Sequence, residues 1–173
     1  MHRSLPTDDA LEVQVGHWLR RRGLKLVAAE SCTGGLIGHL LTNVPGSSET
    51  FLGSIASYAN EAKEQWLGVQ HETLQQHGAV SEAVVIEMAR GARQRMAGAF
   101  PIESLVGVSV SGIAGPGGGT PEKPVGLVWI GLSAPNFERA WKFVWDGDRI
   151  ANKEISAQQA LRLVLDYLQG EVS

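Results

Sequence analysis

A chain of 173 residues, 43% hydrophobic and 19% charged, has enough apolar mass for one buried core and excludes a disordered or fibrous polymer. A formal net charge of -3 removes any overall attraction to nucleic acid or anionic lipid, so an anionic ligand must be gathered by a local site. The lone cysteine, Cys32, rules out an internal disulfide, and no apolar run approaches the ~20 residues that span a bilayer.

Acidic residues stand near the start of the chain, where a secretory leader would carry its apolar core, so the expected location is cytoplasmic. Pro6, Thr7, Asp8 and Asp9 open a predicted helix with the apolar stripe Leu11, Val15, Trp18 and Leu19, which Gly23 stops. Leu24 to Ala29 reads as a short buried strand. Thr33 and Gly34 are expected to begin a second helix carrying Leu36, Ile37, Leu40 and Leu41, and Val44-Pro45-Gly46 ends it. A strand over Phe51 to Ala59 leads straight into a short helix over Asn60 to Leu67. Ser81 caps a longer helix to about Ala99, with Val84, Val85, Met88 and Ala92 facing inward.

Leu105 to Ser111 is the next strand, and the glycine-rich run Ser111 to Gly119 follows it. Two further strands, Val125 to Leu132 and Phe137 to Trp145, are joined by the turn Ser133-Ala134-Pro135-Asn136. The last helix runs from about Asp148 to Gln169. No repeat or linker divides the chain, so residues 1–173 are expected to form a single domain. Helices alternating with apolar strands predict an α/β protein, a three-layer α/β/α sandwich around a mixed, mostly parallel sheet.

Ligands of open α/β sheets gather where strands give way to helices. Three hydroxyl- or glycine-rich segments fall at such junctions. In Glu30 to Gly35, Ser31 is either a nucleophile beside unpaired helix N–H groups or, with Thr33, a helix cap. Cys32 has no histidine partner selected by spacing and fits a small buried residue better than a thiol nucleophile. In Ser57 to Lys63, a phenol at the strand end precedes an amine one turn into the helix. Lys63 is either a desolvated base, with Tyr58 relaying a proton or orienting Ser31, or a solvated partner of Glu61 or Glu64.

The run Gly112 to Gly119 is neither a phosphate-binding P-loop nor a dinucleotide fingerprint, but it can offer several N–H groups to an anion. Arg149, at the start of the last helix, either clamps a phosphate or is solvated beside a capping Asp146 or Asp148. No Cys/His/carboxylate grouping has metal spacing, so neither metal nor cofactor is expected.

Taken together, AESCTGG at 29–35, YANEAK at 58–63, QHGAVSE at 76–82, SGIAGPGGGTPEKPVG at 111–126 and GDR at 147–149 resemble the CinA C-terminal family along nearly the whole chain. That family includes the stand-alone nicotinamide-nucleotide amidohydrolases. The resemblance implies hydrolysis of the carboxamide of nicotinamide mononucleotide to nicotinate mononucleotide and ammonia. Ser31 would be the nucleophile, Lys63 the general base and Tyr58 its assistant. Thr33, Gly34, Gly112, Ile113, Gly115 and Arg149 would hold the pyridine nucleotide.

The resemblance also implies a homodimer. The alternative is a catalytically silent nucleotide-binding or regulatory member of the same family. The chain departs from the family pattern at Ala59, where serine is usual, and at Asn152-Lys153, where an Ile-Arg pair is usual.

Overall fold

A computed structural model describes residues 5–172. Its sheet has five strands, β1 (Lys25–Glu30), β2 (Phe51–Ala56), β3 (Leu105–Gly112), β4 (Leu127–Ala134) and β5 (Phe137–Val144), in the order β2-β1-β3-β4-β5. β1 lies between β2 and β3 and pairs in parallel with both, whereas β4 runs antiparallel to β3 and β5 antiparallel to β4. Four strands therefore point one way and β4 opposes them. The predicted mixed α/β sheet is what forms.

Among the described residues six α-helices cover it: α1 (Leu11–Arg22), α2 (Leu36–Thr42), α3 (Asn60–Leu67), α4 (His71–His77), α5 (Glu82–Arg95) and α6 (Arg149–Gln169). Successive strand side chains point to opposite faces, and β1 shows how that builds three layers. Leu26 and Ala28 join a core with Val15 and Leu19 of α1, Ile37 and Leu41 of α2, and Leu161 of α6. Val27 and Ala29 join the opposite core with Leu67, Leu74, Val84 and Met88. β1 is buried on both faces. Glu30, its last residue, and Ser31 continue this alternation.

α5 lies close against the sheet because β3 offers it small or hydroxyl residues at Gly107, Ser109 and Ser111. A Cβ at Gly107 would collide with the Ala89 carbonyl, and the Ser109 hydroxyl donates to the Val85 carbonyl. The expected inner face of this helix (Val84, Val85, Met88 and Ala92) is fully buried.

Several predicted boundaries move. α2 begins at Leu36, because Gly34 and Gly35 adopt left-handed backbone (φ 64° and 102°) and keep the chain in a turn. β2 stops at Ala56, leaving Ser57 to Ala59 as the connection into α3. α5 ends at Arg95, short of Ala99, and β4 extends through Ser133 and Ala134, confining the hairpin turn to Pro135-Asn136. α4 has no counterpart in the sequence-based reading. Among the described residues no helix is long and apolar enough to cross a membrane.

Candidate active site

The site gathers at the ends of β1, β2 and β3. Glu30 ends β1 on the face of Leu26 and Ala28, toward α2, and Ser31 follows on the face of Val27 and Ala29, toward α3. The Ser31 N–H donates to the Val110 carbonyl (2.9 Å), so β3 fixes the turn at its first residue.

Lys63, in the first turn of α3, points inward. It is 1% exposed, and Ser31 is 8% exposed. Lys63 Nζ lies 3.1 Å from Ser31 Oγ, 3.0 Å from the Ser57 carbonyl oxygen and 3.1 Å from the Tyr58 carbonyl oxygen. A carbonyl can only accept, so two N–H bonds of Lys63 are committed to the backbone. The third position faces a hydroxyl, which can accept from an ammonium or donate to a neutral amine. The same heavy-atom geometry therefore serves both protonation states. Burial lowers the Lys63 pKa from its ordinary 10.5, partly offset by the nearby Glu61 carboxylate. A buried amine that can exchange a proton with a buried hydroxyl results.

The surface reading of Lys63 is overturned. Glu64 pairs with His71 at 3.0 Å, and Lys63 has no carboxylate partner among the described residues. The capping reading of Ser31 and Thr33 fails too. Thr33 is fully buried, and its hydroxyl donates to Glu30 Oε2 (2.7 Å). Glu30, also fully buried, takes the Gly35 and Ile37 N–H groups on the same oxygen, and the Gly38 N–H and the Ser54 hydroxyl on Oε1. The helix N–H groups expected to be free beside Ser31 are thus largely taken. Those of Cys32 and Thr33 make no hydrogen bond to another residue among the described ones.

Cys32 is buried, and its pKa is pushed up to about 12, chiefly by desolvation. It is a neutral thiol at physiological pH. Deprotonated sulfur is the reactive form, so Cys32 is poorly suited to act as nucleophile.

A second cation stands at the other side. Arg149 Nη1 donates to the Gly115 carbonyl (2.7 Å) and Nη2 to the Tyr58 hydroxyl (3.0 Å), linking the glycine run to the β2–α3 connection. Tyr58 is 63% exposed, and its phenol makes no hydrogen bond to Ser31 or Lys63 among the described residues. Its link to Lys63 runs through the backbone carbonyl. Arg149 is exposed, as its alternative reading expected, but it is not without partners. Asp148 does the capping, with Oδ1 accepting from the Ile150 and Ala151 N–H groups at 2.9 Å each.

Gly112 and Ile113 begin the glycine run against β4. The Ile113 N–H donates to the Leu127 carbonyl, its carbonyl accepts from Gly126, and a Cβ on Gly112 would meet Val128. Gly115 combines φ 90° with the Val125 side chain where a Cβ would stand. Beyond Ile113 the N–H groups of Gly115, Gly117, Gly118 and Gly119 donate to no protein atom among the described residues. Gly34 lies under Lys153, whose Nζ is 3.9 Å from the place of a Gly34 Cβ. Ser31, Lys63, Thr33 and Gly34 thus form one cluster, and Tyr58, Arg149 and Gly115 a second that shares the Tyr58 backbone with the first.

Residues 8–168 match the family model described as the CinA C-terminal domain. The chain belongs to this family. It is 49% identical over 154 residues to a CinA-like protein of Salinibacter ruber, covering 89% of this chain and 36% of that protein. A CinA-like protein of Chlorobaculum tepidum is 50% identical over 165 residues, covering 92% and 37%. This chain therefore spans little more than a third of those relatives.

Solved structures of CinA proteins superpose closely. A CinA superfamily protein from Klebsiella pneumoniae 700603 gives a TM-score of 0.84 at 31% identity, covering 92% of this chain and 96% of that one. The competence/damage inducible protein CihA from Agrobacterium tumefaciens gives 0.80 at 36% identity, covering 97% and 99%.

Two residues of this CinA domain escaped the sequence-based selection. Glu30 is one, and its signal was a charged residue in register with buried Leu26 and Ala28. The other is Asn152, 1% exposed, whose Nδ2 donates to the Ala114 (3.1 Å) and Gly147 (2.9 Å) carbonyls and ties the glycine run to α6. Ser57 Oγ and Asn152 Oδ1 are buried without a partner among the described residues, one beside each cluster. No group of three or more His, Cys, Asp or Glu among the described residues could hold a metal.

Proposed function

We propose that this domain is an amidohydrolase that converts nicotinamide mononucleotide to nicotinate mononucleotide and ammonia, with Ser31 as nucleophile and Lys63 as general base. The observation that carries the reading is the 3.1 Å approach of Lys63 Nζ to Ser31 Oγ in a shielded setting, with both other Lys63 contacts on obligate acceptors. A carboxamide is a weak electrophile, so its hydrolysis needs an activated hydroxyl, a stabilised oxyanion and a protonated leaving amine.

Lys63 takes the Ser31 proton as Oγ bonds to the carboxamide carbon, giving a tetrahedral oxyanion. The proton then passes from Lys63 to the departing nitrogen, which leaves as ammonia, and an ester on Ser31 remains. Lys63 next removes a proton from water, whose oxygen attacks the ester, and returns it to Ser31 as the carboxylic acid departs. The N–H groups of Cys32 and Thr33 are the nearest candidates in sequence for the oxyanion. Arg149 and the unpaired N–H groups of the glycine run suit the nucleotide's phosphate, with Tyr58 holding Arg149 in place.

A cytoplasmic homodimer acting on this small molecule, without nucleic acid or membrane, belongs to the same reading. The test is ammonia release from nicotinamide mononucleotide by the purified protein beside Ser31→Ala. We expect the substitution to lower turnover by about 10,000-fold or more. Equal rates for the two proteins would reject the proposal.

A further inference from the structure

We propose that Glu30 is the positioning residue of the nucleophile turn, locking its backbone so that the Cys32 and Thr33 N–H groups stay available to the reacting oxyanion. The inference rests on the amidohydrolase reading for its substrate and on the geometry of the turn for everything else. A fully buried carboxylate immediately before a nucleophile is costly in itself, because it opposes negative charge developing nearby. Here five donors converge on it: the Thr33 hydroxyl, the Gly35, Ile37 and Gly38 N–H groups and the Ser54 hydroxyl.

These donors span the turn from Thr33 to Gly38, the third residue of α2, and Ser54 ties the same carboxylate to β2. The pattern consumes N–H groups from the start of α2 and leaves those directly after Ser31 unclaimed by any other described residue. A side-chain cap on Ser31 or Thr33 would have done the reverse, occupying the nucleophile or the turn itself. With Gly34 and Gly35 both left-handed, the turn has little stiffness of its own. The carboxylate supplies it.

Glu30→Gln replaces one acceptor oxygen with an NH2 group, which must then face either the Gly38 N–H or those of Gly35 and Ile37. We expect kcat to fall about 100-fold, the effect of losing one oxyanion donor, with KM within about threefold and the pH midpoint of Lys63 kept. Arg93→Met is the control for stability alone. Arg93 bonds to the Ile102, Leu105 and Ala134 carbonyls at the far end of the sheet, so its loss should lower the melting temperature and leave kcat unchanged. Glu30→Asp, which keeps the charge but withdraws it by one methylene, stands in if the glutamine variant does not fold.

Phosphonylation of Ser31 by a fluorophosphonate, followed by intact mass, reads the turn without nicotinamide mononucleotide. A 100-fold slowing in the Glu30 variant but not in Arg93→Met supports the role, even if the wild type releases no ammonia and the substrate assignment fails. Equal slowing in the two variants at equal melting temperature overturns it, as does a wild type that the reagent does not label.

Discussion

The turn that carries Ser31 and the glycine run after β3 both leave the same end of one sheet, yet they are built in opposite ways. In the first, buried side chains claim the backbone. Glu30 holds Thr33, Gly35, Ile37 and Gly38, while β3 holds the Ser31 N–H. In the second, Ile113 is anchored to β4, and the N–H groups of the next glycines project without protein acceptors among the described residues. A segment that must place one oxygen to within a fraction of an ångström is stiffened before the ligand arrives. A segment that meets a flexible, charged part of a ligand leaves its hydrogen bonds for the ligand to complete. Perturbing the first should therefore cost rate, and perturbing the second should cost affinity.

After the loss of Ser31 itself, the largest effect should come from Lys63. In Lys63→Arg a permanent cation replaces an amine that the proposed mechanism needs in its neutral form, so kcat should fall by about 100- to 10,000-fold while binding persists. The pH dependence has a definite sign. Burial favours neutral Lys63, so its folded pKa lies below 10.5, and kcat/KM should decline as pH falls through that lowered value and the amine becomes charged. Between the folded and unfolded pKa values the unfolded chain binds more protons, so stability should rise with pH across that window. Lys63→Met should abolish that slope in melting curves taken across pH. A variant that retains wild-type kcat would break the contrast between the two regions at its stronger end.

Arg149→Met sharpens the other end. It removes the guanidinium that donates to the Gly115 carbonyl and the Tyr58 hydroxyl, and with it a charge-assisted contact to a ligand anion worth about 1.5–3 kcal/mol. KM for nicotinamide mononucleotide should rise about 10- to 100-fold with a smaller change in kcat, measured by initial rates. Nicotinamide riboside, which lacks the phosphate, should lose the difference between wild type and variant. A pure kcat loss at constant KM would place Arg149 with the chemistry instead.

How much of this was legible beforehand follows the range of the interactions. The buried strand around Leu26 to Ala29 and the apolar face of α5 are set by burial over a few residues, and both were readable. α4 was not, because His71–His77 has a single apolar residue, Leu74, and too few turns to display a period. The start of α2 was misplaced for a different reason. Its cap comes from Glu30, six residues upstream, and no local rule anticipates a carboxylate reaching forward past a turn. Lys63 was the hardest. Glu61 and Glu64 surround it in sequence and suggest a solvated pair, but the packing of α3 beside the Ser31 turn decides which way its side chain faces. Only the family resemblance selected it.

The smallest effect should be that of Cys32, and its smallness is informative. The thiol sits next to Ser31, buried, with its pKa at about 12, so it offers neither charge nor a reactive form near neutral pH. Its contribution is space filling inside the core that includes Ile37 and Ala114. Cys32→Ala should lower stability by about 1 kcal/mol and leave kcat within about threefold, because the Cys32 N–H survives the substitution. Thermal melts together with ammonia release check both halves. If turnover vanished in Cys32→Ala and persisted in Ser31→Ala, the nucleophile would be sulfur, and the stiffened turn would be serving the residue after the one it holds beside Lys63.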